Sequence, residues 1–157
     1  MKPNIGLSAK DIAGISGLLT QTLSDAMVLY TKTRKFHWNV SGNSFVELHE
    51  LFESQYKELE EAIDEIAERI NKLGEKTPGT MKEFLAKATL KENPGKYPAQ
   101  QEMLKELLKD HESVIVNLRK GVDDCEDKFN DKATSDFLID LLRQHETAAW
   151  KLRRYFQ

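Results

Sequence analysis

The 157-residue chain has one cysteine, four prolines and no long apolar run. Each shortage excludes something. Cys125 stands alone, so no intrachain disulfide can form, which suits a reducing, cytoplasmic setting. No apolar run approaches the ~20 residues that span a bilayer, so no membrane association is expected. Residues 1–9 lack the apolar segment and small-residue cleavage site of a secretory leader, and none is expected. There is no low-complexity tract and no repeat of 20–50 residues. The 23 basic residues are outnumbered by 26 acidic ones, giving a net charge of -3. No overall cationic field is therefore present to hold nucleic acid.

What is there is helix-compatible. Hydrophobic residues make up 39% and charged residues 31% of the chain. That balance fits one soluble domain over residues 1–157, with enough chain for a single core.

Four long helical patterns follow one another. The first starts near Ser8, whose hydroxyl can cap it, with Asp11 at capping-box spacing. Ile12, Ile15, Leu19, Leu23, Ala26, Met27 and Tyr30 recur every three or four residues, marking one buried face. This helix runs to about His37 and meets a turn over residues 39–43. The second opens on a Ser44/Glu47 box. It carries the stripe Phe45, Leu48, Phe52, Leu59, Ile63, Ile66, Ile70 and Leu73, and stops at Gly74. At roughly 30 residues it is about 45 Å long, a length typical of bundles.

Residues 75–97 read as a crossover with two Pro-Gly turns, at Pro78-Gly79 and Pro94-Gly95, around a short helix over 81–88. A third long helix follows Pro98. An acidic link over 123–131 leads to a fourth, which carries Phe137, Leu138, Leu141, Leu142, Ala148, Trp150 and Leu152. No convincing strand emerges. The expected fold is all-α: a ferritin-like four-helix bundle with an extra helix in its long second connection.

The second helix also carries ligand-type residues. His49 with Glu53, and Asp64 with Glu68, are i, i+4 pairs, each on one helical face. At 100° per residue, Glu53, Asp64 and Glu68 lie ~40°, ~60° and ~100° round from His49. All four line one edge, with no matching cation in that stripe except Lys57. His37, ending the first helix, adds a second imidazole. Such charged pairs are ordinarily solvated surface, and that reading stays open.

If a metal is held, spacing constrains how. Glu53 and Asp64 are eleven residues apart, about 16 Å along a helix. Metal–ligand bonds span only ~2.0–2.6 Å. One chain cannot close the set, whereas an antiparallel two-fold copy could lay its Asp64 and Glu68 against His49 and Glu53. Mixed imidazole and carboxylate donors suit Fe(II), Zn(II) or Mn(II).

The segments Lys35-Phe36-His37-Trp38-Asn39-Val40-Ser41-Gly42, Leu48-His49-Glu50-Leu51-Phe52-Glu53 and Asp64-Glu65-Ile66-Ala67-Glu68-Arg69-Ile70 resemble the signature of the Dps family of mini-ferritins. The shared spacing is His-x11-His-x3-acid-x10-Asp-x3-Glu, and the likeness covers nearly the whole chain, His145-Glu146 and Trp150 to Arg153 included. The resemblance implies a hollow dodecamer that oxidises Fe(II), generally with hydrogen peroxide in preference to dioxygen, and stores ferric oxide against oxidative damage. It implies His37, His49 and Glu53 as metal ligands from one chain, with Asp64 and Glu68 from its partner. Residue 53 is often Asp in the family; Glu is one methylene longer. Trp38 resembles the tryptophan beside the family's site, where it would intercept stray oxidising equivalents; a hydrophobic anchor at a helix end is the alternative.

Other residues remain open. Asp123, Asp124, Glu126, Asp127 and Asp131 resemble the acids lining iron-entry pores in related proteins; alternatively they form a solvated loop in which Asp131 or Asn130 caps the last helix. His111 and His145 read as packing or surface residues, and Cys125 as an incidental thiol. Lys151, Arg153 and Arg154 favour the final helix dipole. DNA binding, a trait of many relatives, is doubtful here. Only Lys2 and Lys10 precede Asp11, Gln157 closely follows the last helix, and a dodecamer would carry about -36 formal charges. A DNA-protecting protein with secondary iron chemistry is the alternative function.

Overall fold

The computed structural model describes residues 3–156. Lys2 and Gln157, the terminal residues weighed for DNA contact, lie outside the described residues. Five α-helices form the described chain: α1 (Ala9–Asn39), α2 (Phe45–Lys72), α3 (Met81–Lys87), α4 (Gln100–Asp123) and α5 (Lys132–Arg153). No strand occurs among the described residues. The all-α bundle with a short helix in its long crossover is as the sequence implied.

Local chemistry sets most boundaries. Ser8 caps α1: its Oγ accepts from the Asp11 N–H at 3.1 Å and donates to Asp11 Oδ2 at 2.5 Å. Thr80 and Glu83 form a full capping box on α3. Gly74 ends α2 with φ +89°. Its N–H donates to Asn71 O and the Glu75 N–H to Ile70 O, a Schellman pair. The Ser44/Glu47 box does not form. Ser44 has φ -98° and ψ 27° and makes no side-chain cap bond, because the tight turn after Gly42 holds it away from extended backbone.

The acidic link is also not a loop. α4 continues from Asp123 into a π-helical turn, Asp124–Lys128. The Phe129 N–H donates to Asp124 O at 3.1 Å, five residues back. Widening the turn lets the helix absorb residues while Cys125 stays fully buried. The chain then turns at Asn130, φ 52°, and Asp131 caps α5 by accepting from the Thr134 N–H at 3.1 Å. Arg69 ties this corner to α2, 3.3 Å from Asp131 Oδ2 and 3.0 Å from Thr134 Oγ1.

The core runs the length of the bundle. Ile15, Leu19, Leu23 and Leu29 of α1 meet Leu48, Phe52, Ile66 and Ile70 of α2 and Met103, Leu104 and Leu107 of α4, all at most 2% exposed. Burial of each such side chain stabilises by about 1.5–3 kcal/mol. α1 also contains an 18-residue window of mean hydropathy 1.3, enough by length and composition alone to cross a bilayer. The apolar residues raise the average, and the Gly, Ser and Thr between them break the run while lowering that average less than charged residues would. Half of that window is buried in the protein, so its apolarity is that of a core helix.

The crossover decides the topology. A Cβ added at Gly42, just before α2, would sit 3.2 Å from the Gln100 side chain at the start of α4. α2 and α4 therefore begin at the same end. The buried Asp25 of α1 holds the connection down: Oδ1 accepts from Thr89 N at 2.6 Å and Leu90 N at 2.9 Å, and Oδ2 from Thr89 Oγ1 at 2.8 Å. Lys32, also buried and two turns further along α1, pairs with Asp110 of α4 at 2.6 Å and Glu106 at 3.1 Å.

Candidate metal centre

The end of α1 and the first turns of α2 bring His37, His49 and Glu53 together, each offering a donor atom within 4.8 Å of the others. The hairpin turn between the helices makes this possible, since twelve residues separate the two histidines in sequence. His37 is buried and its partners are half-buried.

The imidazoles lock one another. Nδ1 of His37 lies 2.8 Å from the carbonyl of His49, and Nδ1 of His49 lies 3.0 Å from the carbonyl of His37. A carbonyl only accepts, so each Nδ1 carries the proton and donates. In the neutral ring Nε2 is then the atom with the lone pair, the form in which imidazole binds a cation. The rings stack at 3.8 Å between centroids, 25° from parallel. Tyr56 packs edge-on against His37 at 5.2 Å, and Phe45 tilts against His49 at 5.2 Å.

Glu53 completes the group, its Oε1 2.5 Å from Lys57 Nζ. The hydrogen bond and charge of Lys57 hold the Glu53 carboxyl below its ordinary range, with smaller help from His37 and His49. The carboxylate is therefore ionised at neutral pH but shared with an exposed ammonium.

Asp64 and Glu68 are exposed and do not join this group within one chain. They lie further along the same helix, at the distance that eleven intervening steps impose. Lys72 pairs with Glu68 at 3.1 Å, so Lys57 is not the only cation in the stripe. The i+4 position of Lys72 made that pair legible in sequence.

Trp38 is 64% exposed beside the group. Its ring faces the Arg34 guanidinium at 5.4 Å, which also covers Tyr56 at 4.5 Å and Tyr30 at 5.4 Å. Within one chain Trp38 is not a buried anchor. Phe45 and Val46 are exposed nearby, leaving an apolar rim round the ligand group.

Of the acidic cluster, Asp131 is a buried helix cap and Glu126 accepts from Ser135 Oγ at 2.8 Å. Sequence reasoning left His111 and His145 as separate packing or surface residues. Both are buried, with Nδ1 atoms 2.9 Å apart. Thirty-four residues separate them, so no local periodicity announces the pair.

A ferritin-like domain profile matches residues 17–157. The chain is 46% identical over 154 residues to a low temperature-induced protein of Nostoc sp. strain PCC 7120, covering 98% of this chain and 86% of that one. It is 39% identical over 138 residues to DNA protection during starvation protein 2 of Bacillus anthracis, covering 88% and 93% respectively. The fold superposes on the Dps protein of Vibrio cholerae O1, described as a ferritin-like diiron-carboxylate protein. That match has TM-score 0.92 and 28% identity, and covers 100% of this chain and 98% of the other.

Proposed function

Because this chain belongs to the Dps family of ferritin-like proteins, we propose that it is a ferroxidase that takes Fe(II) as substrate and stores the ferric product inside a hollow cytoplasmic dodecamer. The observation that carries the reading is the group His37, His49 and Glu53, whose imidazole tautomers are fixed with both Nε2 lone pairs free. Two imidazoles and one carboxylate suit Fe(II), and the carboxylate gains value as iron becomes ferric.

Three donors leave the coordination incomplete. Asp64 and Glu68 of a two-fold partner, its α2 running antiparallel, fill it; reciprocity gives two such sites per pair. The exposed Trp38, Phe45 and Val46 are then the apolar surface that the partner covers. His37 and His49 present Nε2 to the iron because Nδ1 of each is tied to a carbonyl, while Glu53 exchanges its bond with Lys57 for one with the cation. Hydrogen peroxide is the proposed oxidant: two Fe(II) and two protons reduce one peroxide to two waters, releasing no hydroxyl radical. Trp38 stands at the rim to intercept equivalents that escape.

Anaerobic Fe(II) loading, followed by peroxide or dioxygen in separate traces on protein of measured assembly mass, tests this. Oxidation no faster than without protein would overturn it. The name of the Bacillus anthracis relative favours a second reading, DNA protection. Retardation of duplex DNA at low salt without divalent cations would support that reading.

A further inference from the structure

α2, α4 and α5 enclose a small cleft whose lining shares no residue with the His37 group. Gln55 and Glu58 of α2, His111 of α4, and Gln144, His145 and Ala148 of α5 line it, with Leu59. Its cavity is about 10 Å³, close to the space of a single water or bare cation. Gln55, His111 and His145 are buried, at 1%, 2% and 6% exposure, whereas Glu58 is exposed at the mouth.

Two buried polar atoms here have no partner: His111 Nε2 and Gln55 Oε1. Gln55 Nε2 donates to Ala148 O at 3.4 Å, which leaves its Oε1 as an acceptor without a donor. The two histidines meet head-on, with Nδ1 atoms 2.9 Å and ring centroids 5.1 Å apart. One Nδ1 must donate to the other. If His145 donated, His111 Nε2 would carry a proton, and Gln55 Oε1 in the same cleft would be its natural acceptor. No such bond forms. When His111 donates to His145, both orphan atoms are lone pairs, and both need a donor or a cation.

We infer that this cleft is a second, intrasubunit site for a divalent cation of the zinc class, bound by His111 Nε2, Gln55 Oε1 and the Glu58 carboxylate. His145 is the positioning residue: it accepts the other ring proton of His111, the arrangement that fixes tautomer and orientation in metal-bound imidazoles. Burial keeps both rings neutral, as ligation requires. Glu58 supplies the charge that neutral imidazole and amide donors lack. Among the described residues it accepts a 3.2 Å bond from Ser54 and lies 4.0 Å from Lys151, both exposed contacts that a cation in the cleft it lines can displace. One nitrogen and two oxygens form a mixed set that takes Zn(II) readily, with water completing the coordination.

The site is tested with Zn²⁺ alone on the assembled protein carrying H49A and D64A together, which disables the shared centre. Calorimetry should find one Zn²⁺ per subunit remaining. Adding E58Q, at the exposed mouth, should weaken that binding about tenfold, and adding H111L should abolish it. Anomalous scattering from a Zn²⁺-soaked crystal of the H49A/D64A protein should show a peak between Gln55 and His111. No residual Zn²⁺ in that background, affinity unchanged by E58Q, or a water alone in the cleft would each overturn the proposal. These outcomes are independent of iron oxidation at the His37 group.

Discussion

Lys57 Nζ sits 2.5 Å from Glu53 Oε1, occupying the one carboxylate that stands with His37 and His49. The pair is solvent-exposed, so its effect on folding is slight, and its effect on the centre is competition. Glu53 is ionised at neutral pH even without its lysine. Lys57→Gln should therefore leave the melting temperature unchanged and tighten Fe(II) binding a few-fold, measured by anaerobic titration. Weaker binding would show that the ammonium assists the centre.

His49→Ala and Asp64→Ala should each slow iron oxidation at least tenfold without unfolding the bundle, since loss of metal-site groups typically costs 10–100-fold or more. Each variant keeps the half that the other lacks. Subunit exchange between them should restore about a quarter of wild-type sites in a random mixture. Exchange proven by mass spectrometry with no recovery of rate would exclude a shared centre.

Asp25 takes three hydrogen bonds from Thr89 and Leu90 while 2% exposed. Asp25→Ala strands two backbone donors and a hydroxyl, at about 1–3 kcal/mol for each group that stays buried. The crossover should loosen before the bundle does. Amide exchange at residues 89 and 90 should rise by an order of magnitude or more, with smaller changes in α1 and α4.

The metal-free protein should lose stability on mild acidification. Burial depresses the His145 pKa to about 4 and that of His111 well below its usual value, where the nearby His145 adds to the effect. Unfolded histidines take up protons as pH falls through about 6.5, while the native pair stays neutral. Between about pH 6.5 and 4 the unfolded state binds more protons, so stability falls with pH, by roughly 3 kcal/mol per subunit for His145 alone. Thermal unfolding in EDTA across this range should show the slope, and His145→Gln should flatten it.

Much of the fold was legible because helices declare themselves locally. The Ser8 cap, the Gly74 stop and the stripe from Leu48 to Ile70 each depend on residues within one or two turns, and the structure keeps all three. Ser44 misled because a capping motif reports residue type, while the bond depends on backbone angles that the preceding turn imposes. The link after Asp123 was legible in part: Asp123, Glu126 and Asp127 are exposed and Asp131 caps α5, whereas the π-helical turn through Asp124–Lys128 has no signature in residue type. His111 and His145 stayed invisible as a pair because their meeting depends on how α4 packs against α5.

The amino-acid order alone determined that this chain forms helices with core-facing stripes and that four ligand-type residues, His49, Glu53, Asp64 and Glu68, fall along one edge of α2. Those are consequences of a fixed rise and twist per residue, which operate without knowledge of any distant contact. Folding decided which donors meet: it turned α1 onto α2 so that two histidines fix each other's protons, and it buried a second imidazole pair between α4 and α5. Hydrogen bonds act over about 3 Å, so long-range proximity is set only when the core closes.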